Sequence, residues 1–348
     1  MLGSVQNRKI FSRLMRQTLK TLPSIDAVAR LANVSIATVS RVLNNSKPVS
    51  PETRRRVEAA VAQLGYRTNA AGRSLAMAQS HLLMVLVPDF ANPFYAQIVQ
   101  GVETVTRDAG YKLLLSDASA DDAPQAIALE ALYNRLADGV INLTHLDEDA
   151  ATSSEVQQLP WVNCSEYLPE SGLPYVSIDH RQAALDAVQY LLNRGHRRIA
   201  LISTDETYRW ARLRHEGYEM AMQRAGLAID PHLVRIAQST DYEAGSQAAG
   251  GLLALLEPPT AVFAVSDTLA IGAIKALRRA GRQVPGDVAV VGFDDLPLSA
   301  VFEPALTTIG QPMRELGATA AQMLLARLRG EQPPSRTLDH RLVVRDSA

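Results

Sequence analysis

Residues 35–44 read SIATVSRVLN, and the N-terminal part of the chain is organised around this stretch. Ser35 is a good helix N-cap, because its hydroxyl can accept a hydrogen bond from a backbone amide two or three residues further on. Val39, Val42 and Leu43 recur at spacings of three and four residues, so they share one helix face and can pack in a small core. The stretch therefore predicts a short amphipathic helix.

The opposite face of this helix carries Ile36, Ala37, Ser40 and Arg41. The guanidinium of Arg41 presents a fork of donors that matches the acceptors of guanine or of a phosphate. On this stretch alone, an ordinary surface helix is the simpler interpretation. The flanking sequence favours a recognition helix that lies in the major groove of DNA.

The sequence on both sides predicts two further helices. Residues 24–32 (SIDAVARLA) place apolar side chains on one face, and a tight turn then leads into the central stretch. Further on, Ser50 is an N-cap and Pro51 occupies the first position of a third helix. That helix runs to about Leu64, where Gly65 follows as a C-terminal stop. Two short helices joined by a tight turn and braced by a third predict a helix-turn-helix headpiece.

The charge of the chain is divided unevenly, although the net charge is only −1. Residues 1–79 hold 13 Lys and Arg against 3 Asp and Glu, whereas the remaining residues hold 22 against 33. A basic N-terminal segment on an acidic body is typical of a DNA-binding domain joined to a ligand-binding or oligomerising domain.

Composition and apolar runs narrow the class of protein. Cys164 is the single cysteine, so no intramolecular disulfide can form, and a reducing cytoplasm is expected. No apolar run reaches the roughly 18 residues that a membrane span needs. The first 22 residues hold five basic residues and no acidic ones, and they lack the apolar region of a signal peptide. We expect them to form a disordered basic arm that adds non-specific affinity for DNA.

From His81 onward, the sequence alternates between strand and helix patterns. Residues 82–88 (LLMVLVP) form a continuous apolar run suited to a buried parallel strand, and residues 93–109 then predict a helix. The same alternation recurs from RRIALIST at residues 197–204 to VAVVGFDD at residues 288–295. The pattern predicts two doubly wound α/β units in succession, joined as a clamp with a ligand cleft between its lobes.

Two segments carry a resemblance: VARLANVSIATVSRVLN at residues 28–44 and VSPETRRRVEAAVAQLGYRTNAAGRSLA at residues 49–76. They resemble the N-terminal region of the lactose-repressor (LacI/GalR) family of transcription regulators, and the likeness continues nearly to the end of the chain. The resemblance implies an α/β protein with an N-terminal all-α helix-turn-helix headpiece and a two-lobed, periplasmic-binding-protein-like body of doubly wound parallel sheets. It also implies a repressor that binds double-stranded operator DNA as a homodimer and responds to a small-molecule effector.

The resemblance assigns DNA contacts residue by residue. Ile36 and Ala37 would select the operator sequence, and Tyr66 would reach a phosphate. The complete DNA-binding set expected is Ser35, Ile36, Ala37, Thr38, Ser40, Arg41, Asn44, Tyr66 and Leu75.

Residues 69–76 (NAAGRSLA) are expected to join the headpiece to the body as a hinge. A helix of this length is not stable alone in water. The resemblance implies that it orders on operator binding, with Leu75 wedged into the minor groove at the centre of the palindrome. The alternative is a plain linker in which Leu75 covers the body. Thr68 stands where many relatives have proline, which would loosen the hinge.

The resemblance divides the chain into five parts: the arm (1–22), the headpiece (23–68), the hinge (69–80), a first lobe (81–192 and 310–329) and a second lobe (193–309 and 330–348). Nothing like the leucine-rich tail of tetrameric relatives follows Arg345. A dimer is therefore expected, which suits a two-fold operator.

An effector cleft is expected beyond the carboxyl ends of the strands, where open α/β sheets bind ligands. Arginine and aspartate side chains suit adjacent hydroxyl groups, and aromatic side chains suit the face of a ring. The resemblance matches positions of this chain to ligand contacts, and the full set is Phe94, Asp179, Arg214, Tyr242, Ser266, Asp294 and Gln311. Asp295 is instead expected to be a helix N-cap or an interlobe contact, and Phe293 to belong to the core.

The expected effector class comes from the segments LPESGLPYVSID (168–179), PPTAVFAVSD (258–267) and FEPALTTI (302–309), which are similar to those of nucleoside-responsive members of the family. They imply a nucleoside such as cytidine. Ser266 stands where sugar-binding relatives have asparagine, and a sugar is the alternative effector. Residues 208–210 (YRW) have no counterpart in this likeness.

Two other classes of protein, an enzyme and a solute-binding protein, fit the sequence less well. An enzyme is disfavoured because the chain contains no nucleotide-binding glycine motif, no P-loop, no G-x-S-x-G and no H-E-x-x-H. The seven histidines show no metal-ligand spacing, and we expect each at the surface, so no metal, cofactor or catalytic residue is assigned. A solute-binding protein of a transporter would share the clamp fold, but the headpiece and the lack of a signal peptide argue against it.

Overall fold

The structure is a computed structural model that describes residues 23–44, 47–66, 79–118, 124–145 and 154–348. The chain divides into two compact units, residues 1–80 and residues 81–348. The expected arm and residues 69–78 of the expected hinge, among them Leu75, lie outside the described residues.

The described residues of the first unit form three helices. They are α1 (Ile25–Ala32), α2 (Ile36–Asn44) and α3 (Pro51–Leu64). The hydroxyl of Ser35 accepts a hydrogen bond from the amide of Thr38 at 3.2 Å, and that of Ser50 accepts one from Thr53 at 3.3 Å. Gly65 ends α3 with φ of 59°, a left-handed conformation that glycine adopts without strain. The predicted caps and stop are confirmed.

One valine from each helix meets in the centre of the headpiece. Val28, Val39 and Val57 are fully buried, and Val42 is 5 % exposed. Burying such a side chain contributes about 1.5–3 kcal/mol. The apolar face predicted for α2 is therefore the face that holds the headpiece together.

The first sheet of the body contains the strands β1 (Leu82–Val87), β2 (Lys112–Asp117), β3 (Gly139–Asn142), β4 (Trp161–Cys164), β5 (Tyr175–Ile178) and β11 (Arg336–Leu338). All six are parallel, and they lie in the order β11-β5-β4-β3-β1-β2. The associated helices are α4 (Pro93–Asp108), α5 (Pro124–Tyr133), α6 (Ser154–Gln158) and α12 (Met313–Leu328). Leu83 and Val85 pack with α4 and α12 on one face, whereas Met84 and Leu86 pack with α5 on the other. Both faces of β1 are covered, which explains its unbroken apolar sequence.

The second sheet contains the strands β6 (Ile199–Ser203), β7 (Val234–Ile236), β8 (Ala261–Ala264), β9 (Ala289–Asp294), β10 (Thr307–Gly310) and β12 (Arg341–Val343). They lie in the order β12-β10-β9-β8-β6-β7, and all pairs are parallel except β10 with β12. The helices are α7 (His180–Asn193), α8 (Arg209–Arg224), α9 (Tyr242–Leu253), α10 (Asp267–Arg279) and α11 (Pro297–Val301). The predicted fold class is confirmed: an all-helical headpiece and a body of two parallel-dominated sheets. No helix in the described part of the chain is long and apolar enough to cross a membrane.

Two elements lie elsewhere than the expected division of the lobes placed them. Helix α7 was expected in the first lobe, but it packs on α8 and joins the core of the second sheet. Strand β11 was expected in the second lobe, but it pairs with β5 in the first sheet. Both elements lie where the chain crosses between the lobes. At such a point a helix or a three-residue strand can pack on either lobe, and contacts with residues distant in the sequence determine which lobe it joins.

Candidate functional sites

The outer face of α2 is open to solvent. Ile36 is 47 % exposed, and Ala37 and Arg41 are exposed as well. Thr38 and Ser40 are half-buried. Three of the expected DNA contacts therefore lie together on the solvent side of a short helix, and none of the described headpiece residues covers them.

The other expected DNA contacts lie around this face or outside the description. Ser35 caps α2, and its hydroxyl lies 2.9 Å from that of Thr38. Tyr66 is half-buried against the headpiece core. Asn44 is the last residue of α2, and its side chain, like Leu75, is not among the described parts.

The cleft of the body contains a buried pair of side chains, an arginine and an aspartate. Arg214 projects from α8 and is 3 % exposed, and Asp294 ends β9 and is 4 % exposed. Arg214 Nη1 lies 3.8 Å from Asp294 Oδ1. Gln311 Nε2 donates a hydrogen bond to the same carboxyl oxygen at 2.7 Å. The carboxyl group is thus held between a cation and an amide donor at the carboxyl ends of two neighbouring strands.

Arg214 is held by contacts on every side. Its guanidinium carbon lies 3.5 Å from the centroid of the Phe293 ring and 4.7 Å from that of Trp210. Its Nη1 also donates to the carbonyl oxygen of Val265. Burial lowers the pKa of Arg214 to about 10, and the neighbouring Asp294 opposes this shift. The side chain therefore remains charged at neutral pH.

His180 orients Arg214 from behind. Arg214 Nε and Nη2 lie 3.4 and 3.3 Å from His180 Nδ1, and a guanidinium can only donate, so Nδ1 accepts. His180 Nε2 then carries the proton and donates to Ser177 Oγ at 3.2 Å. Burial, followed by the charge of Arg214, holds the pKa of His180 well below its usual value. The expectation that every histidine lies at the surface is wrong for His180, which is 1 % exposed. It begins α7, which packs on α8 and thereby places the imidazole behind Arg214.

The backbone at Asp294 is unusual. Asp294 has φ of 125° and Asp295 has φ of 61°, conformations that residues with a Cβ rarely adopt. Backbone strain of this kind persists only where the surroundings impose it, and it is frequent at ligand sites.

The carboxyl group of Asp294 is also perturbed. Burial raises the pKa of Asp294 to about 8, while the charge of Arg214 acts in the opposite direction.

Asp295 is neither a helix N-cap nor an interlobe contact. Its carboxylate accepts a hydrogen bond from Arg345 at 2.6 Å and lies 3.5 Å from Arg341 Nη2, both in the second lobe. The N-cap of α11 is Leu296. The earlier expectation for Asp295 is corrected, because the arginines at the end of the chain return to its side of the sheet. Phe293 is fully buried, as expected for a core residue.

The cleft contains a small cavity of about 30 Å³. Its lining residues are Asn92, Phe94, Tyr95, Leu143, Ser165, Trp210, Arg214, Thr240, Ser266 and Asp294. This volume has room for a water molecule, not for a sugar or a nucleoside. The aromatic walls suit a ring, and the polar pair suits hydroxyl groups.

The structure gathers only part of the expected cleft set. Phe94, Arg214, Ser266 and Asp294 line the cavity, and Gln311 binds Asp294. It does not bring Asp179 or Tyr242 to this cavity. Asp179 is exposed and caps α7 by accepting from the amide of Gln182 at 3.0 Å, and Tyr242 is 38 % exposed at the start of α9.

Several lining residues were not foreseen. Tyr95 follows Phe94 in the sequence, and both lie in the first turn of α4. Ser165 directly follows β4, so the rule of strand ends would have indicated it. Trp210 belongs to the unmatched YRW segment, and only the packing of α8 reveals that its ring enters the cleft.

Nothing in the described ranges holds three or more His, Cys, Asp or Glu side chains in a group suited to a metal ion. The cleft chemistry is therefore that of Arg214 and Asp294 among aromatic rings.

Both units of the chain match known protein families. Residues 24–69 match the family described as bacterial regulatory proteins, lacI family, and residues 188–348 match a periplasmic binding protein-like domain. The chain is 38% identical over 331 residues to the HTH-type transcriptional repressor CytR of Escherichia coli (strain K12), covering 94% of this chain and 97% of the relative. It is 39% identical over 306 residues to the ribose operon repressor of the same strain, covering 86% and 92%.

Solved structures show the same likeness. The lac repressor dimer bound to operator and the anti-inducer ONPF matches with a TM-score of 0.83 at 30% identity, covering 94% of this chain and 99% of that chain. The complex of the transcriptional regulator CelR with cellobiose matches with a TM-score of 0.72 at 34% identity, covering 94% and 100%.

Proposed function

The chain belongs to the lacI family of bacterial regulatory proteins, and from that premise we propose how this transcriptional repressor is used: it binds a pseudo-palindromic operator as a homodimer and is controlled by a nucleoside in the cleft. Members of this family regulate transcription and are not enzymes, so the cleft binds an effector rather than a substrate. The protein acts where bacterial DNA is, in the cytoplasm.

The observation that carries the effector proposal is the buried pair of Arg214 and Asp294 between aromatic rings. An aspartate and an arginine side by side can accept from and donate to the two hydroxyl groups of a ribose. Phe94, Tyr95 and Trp210 offer ring faces on which a base can stack. The relative with 38% identity is named a CytR repressor, and this supports a nucleoside such as cytidine.

The proposal for DNA rests on α2 and its surroundings. Ile36, Ala37 and Arg41 face solvent on a helix of a helix-turn-helix headpiece, and the N-terminal segment carries the excess of positive charge. In such headpieces the second helix lies in the major groove. Leu75 of each subunit would open the centre of the operator, as the family resemblance implies.

The two sites would communicate through the angle between the lobes. An effector shifts operator affinity only by as much as its affinity differs between the two clamp angles. A change of angle would alter the spacing of the two hinges of the dimer and so the order of the hinge helices.

A sugar is the second candidate effector. The same polar pair suits the adjacent hydroxyl groups of a pentose or hexose, and relatives include a ribose operon repressor and a CelR–cellobiose complex.

Thermal unfolding of the full-length protein against a panel of nucleosides, pentoses and hexoses tests the effector. A ligand at 100 times its dissociation constant adds about 2.7 kcal/mol to the stability. We expect cytidine or another nucleoside to raise the midpoint of thermal unfolding. Asp294→Ala should abolish this shift. Asp339→Ala, which removes an exposed carboxylate of the same unit, is the control and should retain the shift. A shift with sugars alone would replace the nucleoside by a sugar, and no shift at all would refute both.

Operator binding is tested separately by selection of bound fragments from a random DNA library. A two-fold symmetric consensus bound by two chains is expected, and a sequence without symmetry, or binding by one chain, would contradict the dimer.

A further inference from the structure

The first turn of α8 carries the unmatched segment Tyr208-Arg209-Trp210. Tyr208 is the N-cap of this helix, and its side chain makes no capping hydrogen bond. The amides of Arg209 and Trp210 lie in the first turn, where no acceptor within the helix exists. Their partner must therefore come from elsewhere.

That partner is Glu166 of the other lobe. Its Oε1 accepts from the amide of Arg209 at 2.9 Å, and its Oε2 accepts from the amide of Trp210 at 3.3 Å. Glu166 is 3 % exposed and follows β4 in the first sheet, whereas α8 packs on the second. A carboxylate at a helix N-terminus is also favoured by the helix dipole. Helix α8 is thus capped across the cleft.

The backbone before Glu166 is set in an uncommon conformation. Ser165 has φ of 68°, and the amide of Glu166 donates to the carbonyl oxygen of Cys164 at 2.9 Å. This tight turn follows directly on β4 and places Ser165 at the cavity and Glu166 at α8. A residue with a Cβ remains in this region only where its surroundings require it.

Aromatic contacts between the lobes flank the two hydrogen bonds. The guanidinium carbon of Arg209 lies 5.1 Å from the centroid of the Tyr167 ring, and Tyr167 in turn stacks on Tyr175 at 3.8 Å. On the other side, the rings of His145 and Tyr208 meet edge to face at 6.1 Å. Glu166 is therefore the centre of a compact interlobe contact.

The first turn of α8 also limits the size of the cavity. Trp210 lines the cavity and covers Arg214, and the remaining volume is about 30 Å³. A ligand with a sugar ring needs more room than this, and the cleft gains that room when the first turn of α8 and the first sheet move apart. Separation of the lobes at this point breaks both hydrogen bonds to Glu166.

We propose that Glu166 and residues 208–210 form an interlobe latch that holds Trp210 over Arg214, so that effector and latch exclude each other. Glu166 is a positioning residue in this latch. The proposal rests on the proposed function in that the cavity is taken as the effector site. A protein whose binding-competent state is only partly populated binds its ligand more weakly by that fraction, so the latch lowers effector affinity.

Hydrogen exchange of the full-length protein, without any ligand, tests the latch. The peptide that spans Arg209 and Trp210 should exchange slowly in the wild type, at least tenfold faster in Glu166→Ala, and at an intermediate rate in Glu166→Gln, which keeps one oxygen acceptor. Glu170→Ala is the matched control, because Glu170 is an exposed carboxylate of the same loop. Unchanged protection in Glu166→Ala would overturn the proposal.

A second variant separates a latch from a plain helix cap. Tyr208→Asp in the Glu166→Ala background gives α8 an N-cap of its own. The Tyr208 ring also contacts His145 and lies 5.9 Å from the Trp210 ring, so Tyr208→Asp in the wild-type background is the control, and it should leave the quenching near the wild-type level. Trp161, the other tryptophan, is 1 % exposed, so acrylamide quenching of fluorescence reports on Trp210. If Glu166 is a latch, the double variant regains amide protection but keeps the increased quenching of Glu166→Ala. Recovery of both would reduce Glu166 to a structural cap and refute the latch.

Cytidine affinity, measured by calorimetry, tests the coupling. We expect cytidine to bind Glu166→Ala several-fold more tightly than the wild type, and equal or weaker binding would contradict mutual exclusion. If cytidine binds neither protein, the nucleoside proposal fails, whereas the exchange and quenching results still decide the latch.

Discussion

At the scale of single residues, the cleft is defined by a buried guanidinium and a buried carboxyl group, each supported by its neighbours. Arg214 donates hydrogen bonds to the carbonyl oxygen of Val265 and to the neutral ring of His180, and its guanidinium stacks against Phe293. The carboxyl group of Asp294 accepts a hydrogen bond from Gln311. An unsupported buried charge costs several kcal/mol, and the hydrogen bonds and the ring offset this cost. The polar residues around Arg214 therefore serve to keep a charged donor in the cleft.

The pH dependence of stability tests the buried state of Asp294. Its pKa of about 8 lies above the value of roughly 3.9 of an unfolded aspartate, so folding takes up a proton between these values. The stability from the protonated carboxyl is complete below about pH 4 and is lost as the pH rises towards 8. Compared with Asp294→Asn, the wild type should lose up to about 1.4 kcal/mol per pH unit in this window, as measured by urea unfolding. Parallel profiles of the two proteins would contradict the raised pKa.

Substitution of Arg41 tests whether the exposed face of α2 contacts DNA bases. Arg41→Ala should weaken binding to the selected operator by about 1–3 kcal/mol if its guanidinium contacts a base. Arg55→Ala removes the same charge from an exposed position on α3 and is the control. Titrations with operator and with scrambled DNA separate the loss of a base contact from the loss of a positive charge. Loss of a base contact weakens binding to the operator alone, whereas loss of a charge weakens binding to both DNAs. Equal losses for both arginines on both DNAs would remove Arg41 from the base-reading set.

At the scale of elements, pairs of helices pack on the body sheets at close range, and glycine permits the approach. A Cβ built on Gly245 of α9 would lie 2.2 Å from the carbonyl oxygen of Leu269 on α10, closer than any real contact. Gly250 of the same helix has nothing within 4 Å. One helix thus contains a glycine required by packing and a glycine that packing does not require.

Alanine at these two glycines should have opposite effects. Gly245→Ala forces α9 away from α10 and should cost about 1–3 kcal/mol, as expected for overpacking. Gly250→Ala should add about 0.5–1 kcal/mol, because alanine loses less backbone entropy in a helix. Chemical unfolding of both variants measures the difference, and a stabilising Gly245→Ala would show that the two helices are not in close contact.

At the scale of the whole molecule, the two lobes are tied by the course of the chain. It crosses between the sheets after β5, after β10 and again between β11 and β12. Three short crossings permit the lobes to move as rigid bodies about a common hinge, which is the motion that a clamp requires. The interlobe latch lies within the cleft that this motion would open.

The division of charge along the chain predicts strongly salt-dependent DNA binding. The ten surplus positive charges of residues 1–79 would displace counterions from DNA, and a protein with six to ten phosphate contacts loses about a thousandfold or more in affinity between 50 and 200 mM salt. Fluorescence anisotropy on scrambled DNA should show this slope, and the thermal midpoint of the protein alone is the control for salt effects on folding. Salt-independent binding would contradict the electrostatic role of this segment.

The sequence by itself determined the features that depend on near neighbours in the chain. The caps at Ser35 and Ser50, the stop at Gly65 and the valine face of α2 follow from spacings of three and four residues, which a helix converts directly into contacts. The buried parallel strands of the body are likewise readable from apolar runs such as that of β1.

Only the tertiary structure decided the contacts between distant residues. The partner of Glu166 lies 43 positions further along the chain, and His180 is 34 positions from Arg214. The burial of His180, the place of Trp210 in the cleft and the pairing of β11 with β5 depend on which surfaces the folded lobes bring together. No local spacing encodes such contacts, because their free energy arises from desolvation and geometry that exist only once both lobes have folded.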